Sequence, residues 1–201
     1  MTLDDFLPYV LPYANGCPGI VANLHTRLAI IELCQKAMIW REYQTAIEAV
    51  ALQTAYAYTP AANQQVCTLL GVTLDGTDVQ VVDPVTGGIL DTECYTGPYA
   101  YGKFTGFELR PAQTAGLDIV TYATVAPSLA ATTVPDALGK YVEGIANGAL
   151  ARILAAKDKS YSDGVGAIRC QSLWDDAIAS AKGDALTGFA RTTIRTAQVR
   201  F

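Results

Sequence analysis

Acidic side chains are the first candidates for chemistry in this sequence. Asp75, Asp78, Asp83, Asp91, Glu93, Glu108 and Asp118 fall within residues 43–128, and two carboxylates at the right separation can divide acid and base roles in cleaving a glycosidic bond. Most of these residues sit in or beside expected turns, where Asp is common because it bonds its own backbone. Spacing therefore selects no pair, and no catalytic residue is assigned. In the same stretch Tyr95, Tyr99 and Tyr101 lie among Gly97, Pro98, Gly102 and Phe104. Aromatic rings in such a run either stack on a sugar or a partner protein or pack inside a β core. The three tyrosines are the candidate partner surface.

Other reactive side chains lack companions. His25 is the single histidine, and a catalytic base needs a nucleophile or an orienting carboxylate at a readable spacing; none is present, so a structural role is expected. Cys17, Cys34, Cys67, Cys94 and Cys170 are odd in number, far apart and free of any C-x-x-C pair. That spacing gives neither a disulfide framework nor a zinc site, and reduced thiols are expected. No metal and no cofactor is predicted.

Arg191, Arg195 and Arg200 stand in the last thirteen residues, FARTTIRTAQVRF, which contain no acid. The whole chain carries −5, so residues 1–188 carry −8 against +3 in this segment. Such asymmetry marks a binding tail. Extended, the tail spans roughly 40–45 Å, and Thr192, Thr193, Ile194, Val199 and Phe201 suit strand addition to the sheet edge of another subunit.

The elements that carry these residues are read from periodicity. Residues 135–162, PDALGKYVEGIANGALARILAAKDKSYS, contain Pro135 and Asp136 as first-turn residues. Leu138, Tyr141, Val142, Ile145, Ala149, Leu150, Ile153 and Leu154 follow at helical steps. Gly139, Gly144 and Gly148 each weaken a helix by about 1 kcal/mol relative to Ala, which implies another backbone packed close. A second apolar pattern predicts a helix over 18–41. A third, capped by Ser162-Asp163, runs to about Gly188 through Ala167, Cys170, Trp174, Ile178, Ala181 and Ala185.

Between them the period changes. Short runs rich in Val, Thr, Tyr and Phe, punctuated by Asp-Gly, Gly-Gly and Gly-Pro, predict strands over 43–128, with Leu74-Asp75-Gly76-Thr77 as the best hairpin turn. The expected fold is α+β: a helical bundle formed by N- and C-terminal helices with an inserted antiparallel β-sandwich or small barrel. The expected domains are 1–42 with 129–188 (helical), 43–128 (β) and 189–201 (extended docking tail).

The totals narrow the function classes. Half of the residues, 51%, are hydrophobic, and only 16% are charged, against roughly 25% in ordinary soluble domains; a chain so poor in charge has surface to hide in an oligomer. A negative total disfavours a reader of nucleic-acid sequence, because phosphates are repelled, but suits a wall past which DNA slides. The start MTLDDFLPY lacks a basic region followed by an apolar core, and no apolar run reaches the roughly 18 residues of a membrane span. Synthesis in a reducing cytoplasm is expected.

The segments PDALGKYVEGIANGALARILAAKDKSYSD, LPYANGCP, IELCQKAMIWRE and RTTIRTAQVRF together resemble the head-to-tail adaptor (connector) proteins of tailed bacteriophages, and the resemblance covers nearly the whole chain. It implies a non-enzymatic virion protein in the neck between capsid and tail. Its subunits would form a ring of about twelve copies beneath the portal, bound to the portal protein above and to a tail or nozzle protein below, with DNA passing through without sequence-specific contact. It also implies that the carboxy-terminal segment, with Arg191, Arg195, Arg200 and Phe201, docks on the portal. The alternatives are a carbohydrate- or protein-binding tail module acting through Tyr95, Tyr99 and Tyr101, and a glycan hydrolase.

Overall fold

The computed structural model describes residues 1–82 and 97–187. A 3-10 turn at Leu3–Phe6 leads into the one-turn helix α1 (Leu7–Val10) and then α2 (Gly19–Ala37). Eight strands follow: β1 (Arg41–Tyr43), β2 (Ile47–Glu48), β3 (Ala55–Ala57), β4 (Gln64–Leu74), β5 (Thr77–Val81), β6 (Tyr99–Gly102), β7 (Gly106–Arg110) and β8 (Asp118–Pro127). A second 3-10 turn (Asp136–Tyr141) then opens into α3 (Val142–Leu154), and α4 (Gly164–Leu186) closes the described chain.

The α+β class holds, but the expected arrangement does not. The helices lie inside the chain rather than forming a bundle of its two termini, and the strands form neither an antiparallel sandwich nor a closed barrel. They make one curled mixed sheet in the order β1-β8-β4-β5-β6-β7-β3, with β2 also paired to β8. The long β4 and β8 pair antiparallel from Gln64↔Pro127 to Leu74↔Ile119, with irregularities near Cys67 and Leu70. β5 and β6 run parallel, Gln80 opposite Tyr99. Parallel neighbours need a crossover of a dozen residues or more, and the stretch from Val81 to Tyr99 is long enough to supply one. The edges are β1 with β2 on one side and β3 on the other. They are drawn toward each other by Gln44 Oε1, which accepts from Thr59 N at 3.0 Å, and by Thr45 O, which accepts from Thr59 Oγ1 at 2.9 Å.

Local chemistry explains several boundaries. The β4–β5 turn at Asp75-Gly76 has positive φ at both residues, 48° and 75°, the geometry of a two-residue hairpin loop that favours Asp-Gly. The helix expected over 18–41 stops at Ala37, because Met38 turns into the left-handed region and Arg41 already belongs to β1. The helix expected from Pro135 begins as a 3-10 turn and becomes α-helical only at Val142. At α4 the Asp163 carboxylate accepts from Val165 N and Gly166 N at 3.1 and 3.0 Å, satisfying two of the donors that a helix start leaves unpaired.

Among the described residues, three larger apolar clusters hold these parts. One fills the curl of the sheet, with Tyr56, Leu69, Val72, Phe107, Leu109 and Ile119. A second, including Val10, Ala22, Ala149, Leu150 and Ile153, joins α1, α2 and α3. The third, with Phe6, Ile30, Leu33, Ile145 and Trp174, also takes in Ala126 of β8 and so ties the helical layer to the sheet. Within the helical layer α3 and α4 come unusually close: a Cβ built on Gly148 would stand 2.7 Å from the Trp174 ring, and one on Gly144 would stand 2.6 Å from the Ala177 Cβ. The small residues of α3 thus serve the close approach that their spacing implied. Gly139 does not, since it faces only the Met1 side chain at ordinary contact distance.

Candidate functional site

Of the residues singled out in the sequence, Asp83, Asp91, Glu93, Cys94 and Tyr95, together with Arg191, Thr192, Thr193, Ile194, Arg195, Val199, Arg200 and Phe201 of the tail, lie outside the described residues. Tyr99 and Tyr101, two of the three tyrosines of the expected partner surface, are described. They lie on β6 and are only 5% and 8% exposed, clustered with Val82, so neither ring is open to a partner. The aromatic residue that is open is Phe104, 98% exposed in the β6–β7 turn.

Tyr101 instead belongs to an ion cluster around the buried Glu108, whose cations Lys103 and Arg110 are about half exposed. It stands opposite Glu108 across β6 and β7, and its hydroxyl donates to the Glu108 carboxylate. Lys103 Nζ pairs with the other oxygen of that carboxylate, and Arg110 reaches it through Nε at 3.2 Å and Nη2 at 3.0 Å. These partners, Lys103 first and Tyr101 next, pull the Glu108 carboxyl down to about 2. A carboxylate held in that way has no proton to give near neutral pH and is a poor base. The neighbouring candidates do no better: Asp75 occupies the hairpin turn, where Oδ1 accepts from Asp118 N at 3.1 Å. Among the described residues, no group of three or more His, Cys, Asp or Glu side chains is disposed to hold a metal ion.

A second charged cluster lies in the helical layer. Glu32 of α2 pairs with Lys36 one turn on and with Arg152 of α3, and the fully buried Trp174 directs its indole N–H toward Glu32 without reaching hydrogen-bond geometry. Burial, which alone would raise the Glu32 carboxyl, is outweighed by these two cations, and the group stays below its ordinary range. His25 lies nearby with Nδ1 buried and no partner among the described residues. Burial, then the charge of Arg152, lowers its pKa, which favours the neutral imidazole. The described thiols are all free. Burial pushes Cys34 up to about 12 and Cys67 up to about 11, which leaves little thiolate for reaction.

What remains is surface: exposed apolar side chains lie both off the helices, at Leu52 and Phe104, and on them. A groove of about 550 Å³ runs between α1, α3 and α4. Tyr9 and Tyr13 form one wall, Glu143, Asn147 and Leu150 the floor, and Arg169 and Leu173 the other wall. Beside it Val165 and Ile168 stand largely exposed on α4, and Ile20 and Leu24 do so on α2. Ile20 and Leu24 fall on an apolar stripe that helical periodicity reads as a buried face, and the structure leaves them exposed instead, whereas Val165 and Ile168 lie outside the stripe read on α4. Their arrangement suits contact with another polypeptide rather than chemistry on a small molecule. Among the described residues, no helix is long and apolar enough to cross a membrane. The sequence matches no protein-family model, and it matches no protein in a search of curated sequences.

Proposed function

We propose that this chain is a structural virion protein, a head-to-tail adaptor whose copies form a ring beneath the portal of a tailed bacteriophage. The ring joins the portal to a tail or nozzle protein and leaves a channel through which DNA passes without sequence-specific contact. The observation that carries the reading is exposed apolar surface on the helical layer, at Ile20, Leu24, Val165, Ile168 and Leu173, in a chain with only 16% charged residues. A subunit of a ring offers two different faces to its neighbours, and the outer sides of α2 and α4 are two such faces. The ion-paired state of Glu108 and the turn position of Asp75 favour this over a glycan hydrolase.

In this reading the segment with Arg191, Arg195, Arg200 and Phe201 docks on the portal protein, and the protein resides in the neck of the virion. Removal of residues 190–201 tests the docking role, since the apolar clusters are complete enough among the described residues to hold the fold without them. The shortened protein is expected to melt as the full chain does and to lose binding to purified portal rings in light scattering. Normal decoration of portal by the shortened protein would refute the docking role.

A further inference from the structure

We propose that copies of this chain associate head to tail: the outer stripe of α4 in one copy packs on the outer face of α2 in the next, with Asp176 paired to Arg27. The contact stands on these two surfaces; its repetition into a closed ring rests on the adaptor reading.

Helix α4 carries apolar side chains on two opposite sides. Its inner side, with Ala167, Trp174, Ala181 and Ala185, is buried. Steps of three and four residues along the other side pass through Val165, Ile168, Ser172, Asp176, Ala179 and Leu186, all of them exposed. A helix that packs on one side only is polar on the other, so a second stripe with exposed apolar residues, running roughly 31 Å along the helix, calls for a second partner. Gly183 lies on the same line, and a Cβ built there meets nothing within 4 Å. With Ser172 and Ala179 it keeps the stripe low enough for another helix to come close. Asp176 is the single charge on the stripe, and its carboxylate has neither an ion pair nor a hydrogen bond among the described residues.

The outer face of α2 has the complementary character. Ile20 and Leu24 are 85% and 44% exposed, and Arg27, three residues beyond Leu24, shares their face. Its Nη1 donates to Leu129 O at 2.7 Å, its Nε has no partner, and no carboxylate among the described residues pairs with it. Leu129, 62% exposed, adds apolar surface beside it. Asp4, which lines the same small pocket as Arg27, already accepts from Asn23 Nδ2 at 2.8 Å. One surface thus offers an unpaired anion among apolar side chains and the other an unpaired cation. Neither surface matches itself as well. Two α4 helices laid antiparallel, Val165 to Leu186, set Asp175 against Asp176 and Arg169 against Lys182, and two α2 faces bring both Arg27 guanidiniums into one interface. Like charges brought together oppose association. The unlike pairing is heterologous, the type that repeats around a ring when its rotation closes.

Sedimentation and light scattering over a concentration series, on the full chain without portal, read the contact. Ile20→Glu/Leu24→Glu blocks the α2 face and Val165→Glu/Ile168→Glu blocks the α4 stripe; all four side chains are exposed, so melting temperatures are expected to match the wild type. The wild type is expected to associate and each variant alone to be monomeric. An equal mixture of the two is expected to form dimers that grow no further, because one intact α4 stripe meets one intact α2 face. Both variants add the same negative charge, so association regained in the mixture has its source in the faces. Asp176→Arg and Arg27→Asp are each expected to weaken association roughly tenfold, and their combination in one chain to restore it. A monomeric wild type, dimers of either variant alone, or a mixture without dimers would overturn the contact, and a charge exchange that restores nothing would overturn the Asp176–Arg27 pairing. Portal binding, measured alongside, separates the two readings. Portal decorated by a protein that shows no head-to-tail association would sink the contact and leave the adaptor reading standing, whereas head-to-tail association in a protein that never binds portal would do the reverse.

Discussion

Gly148 and Glu108 show how differently single residues translate from sequence into structure. The glycine was legible, because an alanine- and glycine-rich helix makes sense only if something approaches it closely, and that something is the Trp174 ring. A methyl group at that position would overlap the ring at 2.7 Å, and overpacking of this kind costs about 1–3 kcal/mol. Gly148→Ala, helpful in an isolated helix, is therefore expected to destabilise the folded protein by that amount in urea titration. Glu108 was not legible: it stood among seven carboxylates as a possible acid, and only the β6–β7 register brings Tyr101, Lys103 and Arg110 around it. Its pKa, depressed to about 2, fixes the sign of the pH effect. The stabilisation is fully present above the ordinary carboxyl value near 4.5 and is lost as pH falls toward 2. Glu108→Gln should cost about 2 kcal/mol at pH 7, a deficit that shrinks on acidification. An equal deficit at pH 7 and pH 3 would mean that packing, not charge, sets the contribution of Glu108.

Among the elements, α4 was read best and the sheet worst, and the reasons are physical. The start of α4 is written into one side chain, since Asp163 both ends the preceding loop and accepts two backbone N–H groups. Replacing it by Ala should remove about 1 kcal/mol, measurable as a lowered melting temperature. The end of α2 carries no such mark, because the left-handed residue there is Met38 rather than the usual glycine, and the helix was read too long. In the sheet, the Asp75-Gly76 hairpin was visible because turn chemistry is local. The parallel pairing of β5 with β6 was not, because it depends on where a long connection returns the chain, and alternation along a strand says nothing about the direction of its neighbour. That gap turned an open mixed sheet into an expected sandwich or barrel.

For the whole molecule, the argument rests on what the folded chain leaves uncovered. Cores within the sheet and the helical layer are closed, yet the outer sides of α2 and α4 retain Ile20, Leu24, Val165 and Ile168 in a chain of net charge −5. In the adaptor reading proposed above, repetition around an axis would hide these side chains against neighbouring copies. The charge asymmetry between residues 1–188 and the closing thirteen was readable from composition alone. The groove between the helices needed the fold, because α1, α3 and α4 are brought together from distant parts of the chain. The most direct measurement is electron microscopy of the purified protein mixed with the portal ring. The account predicts a closed ring of copies seated on one face of the portal around an open channel; bare portal rings beside a dispersed monomer would contradict it.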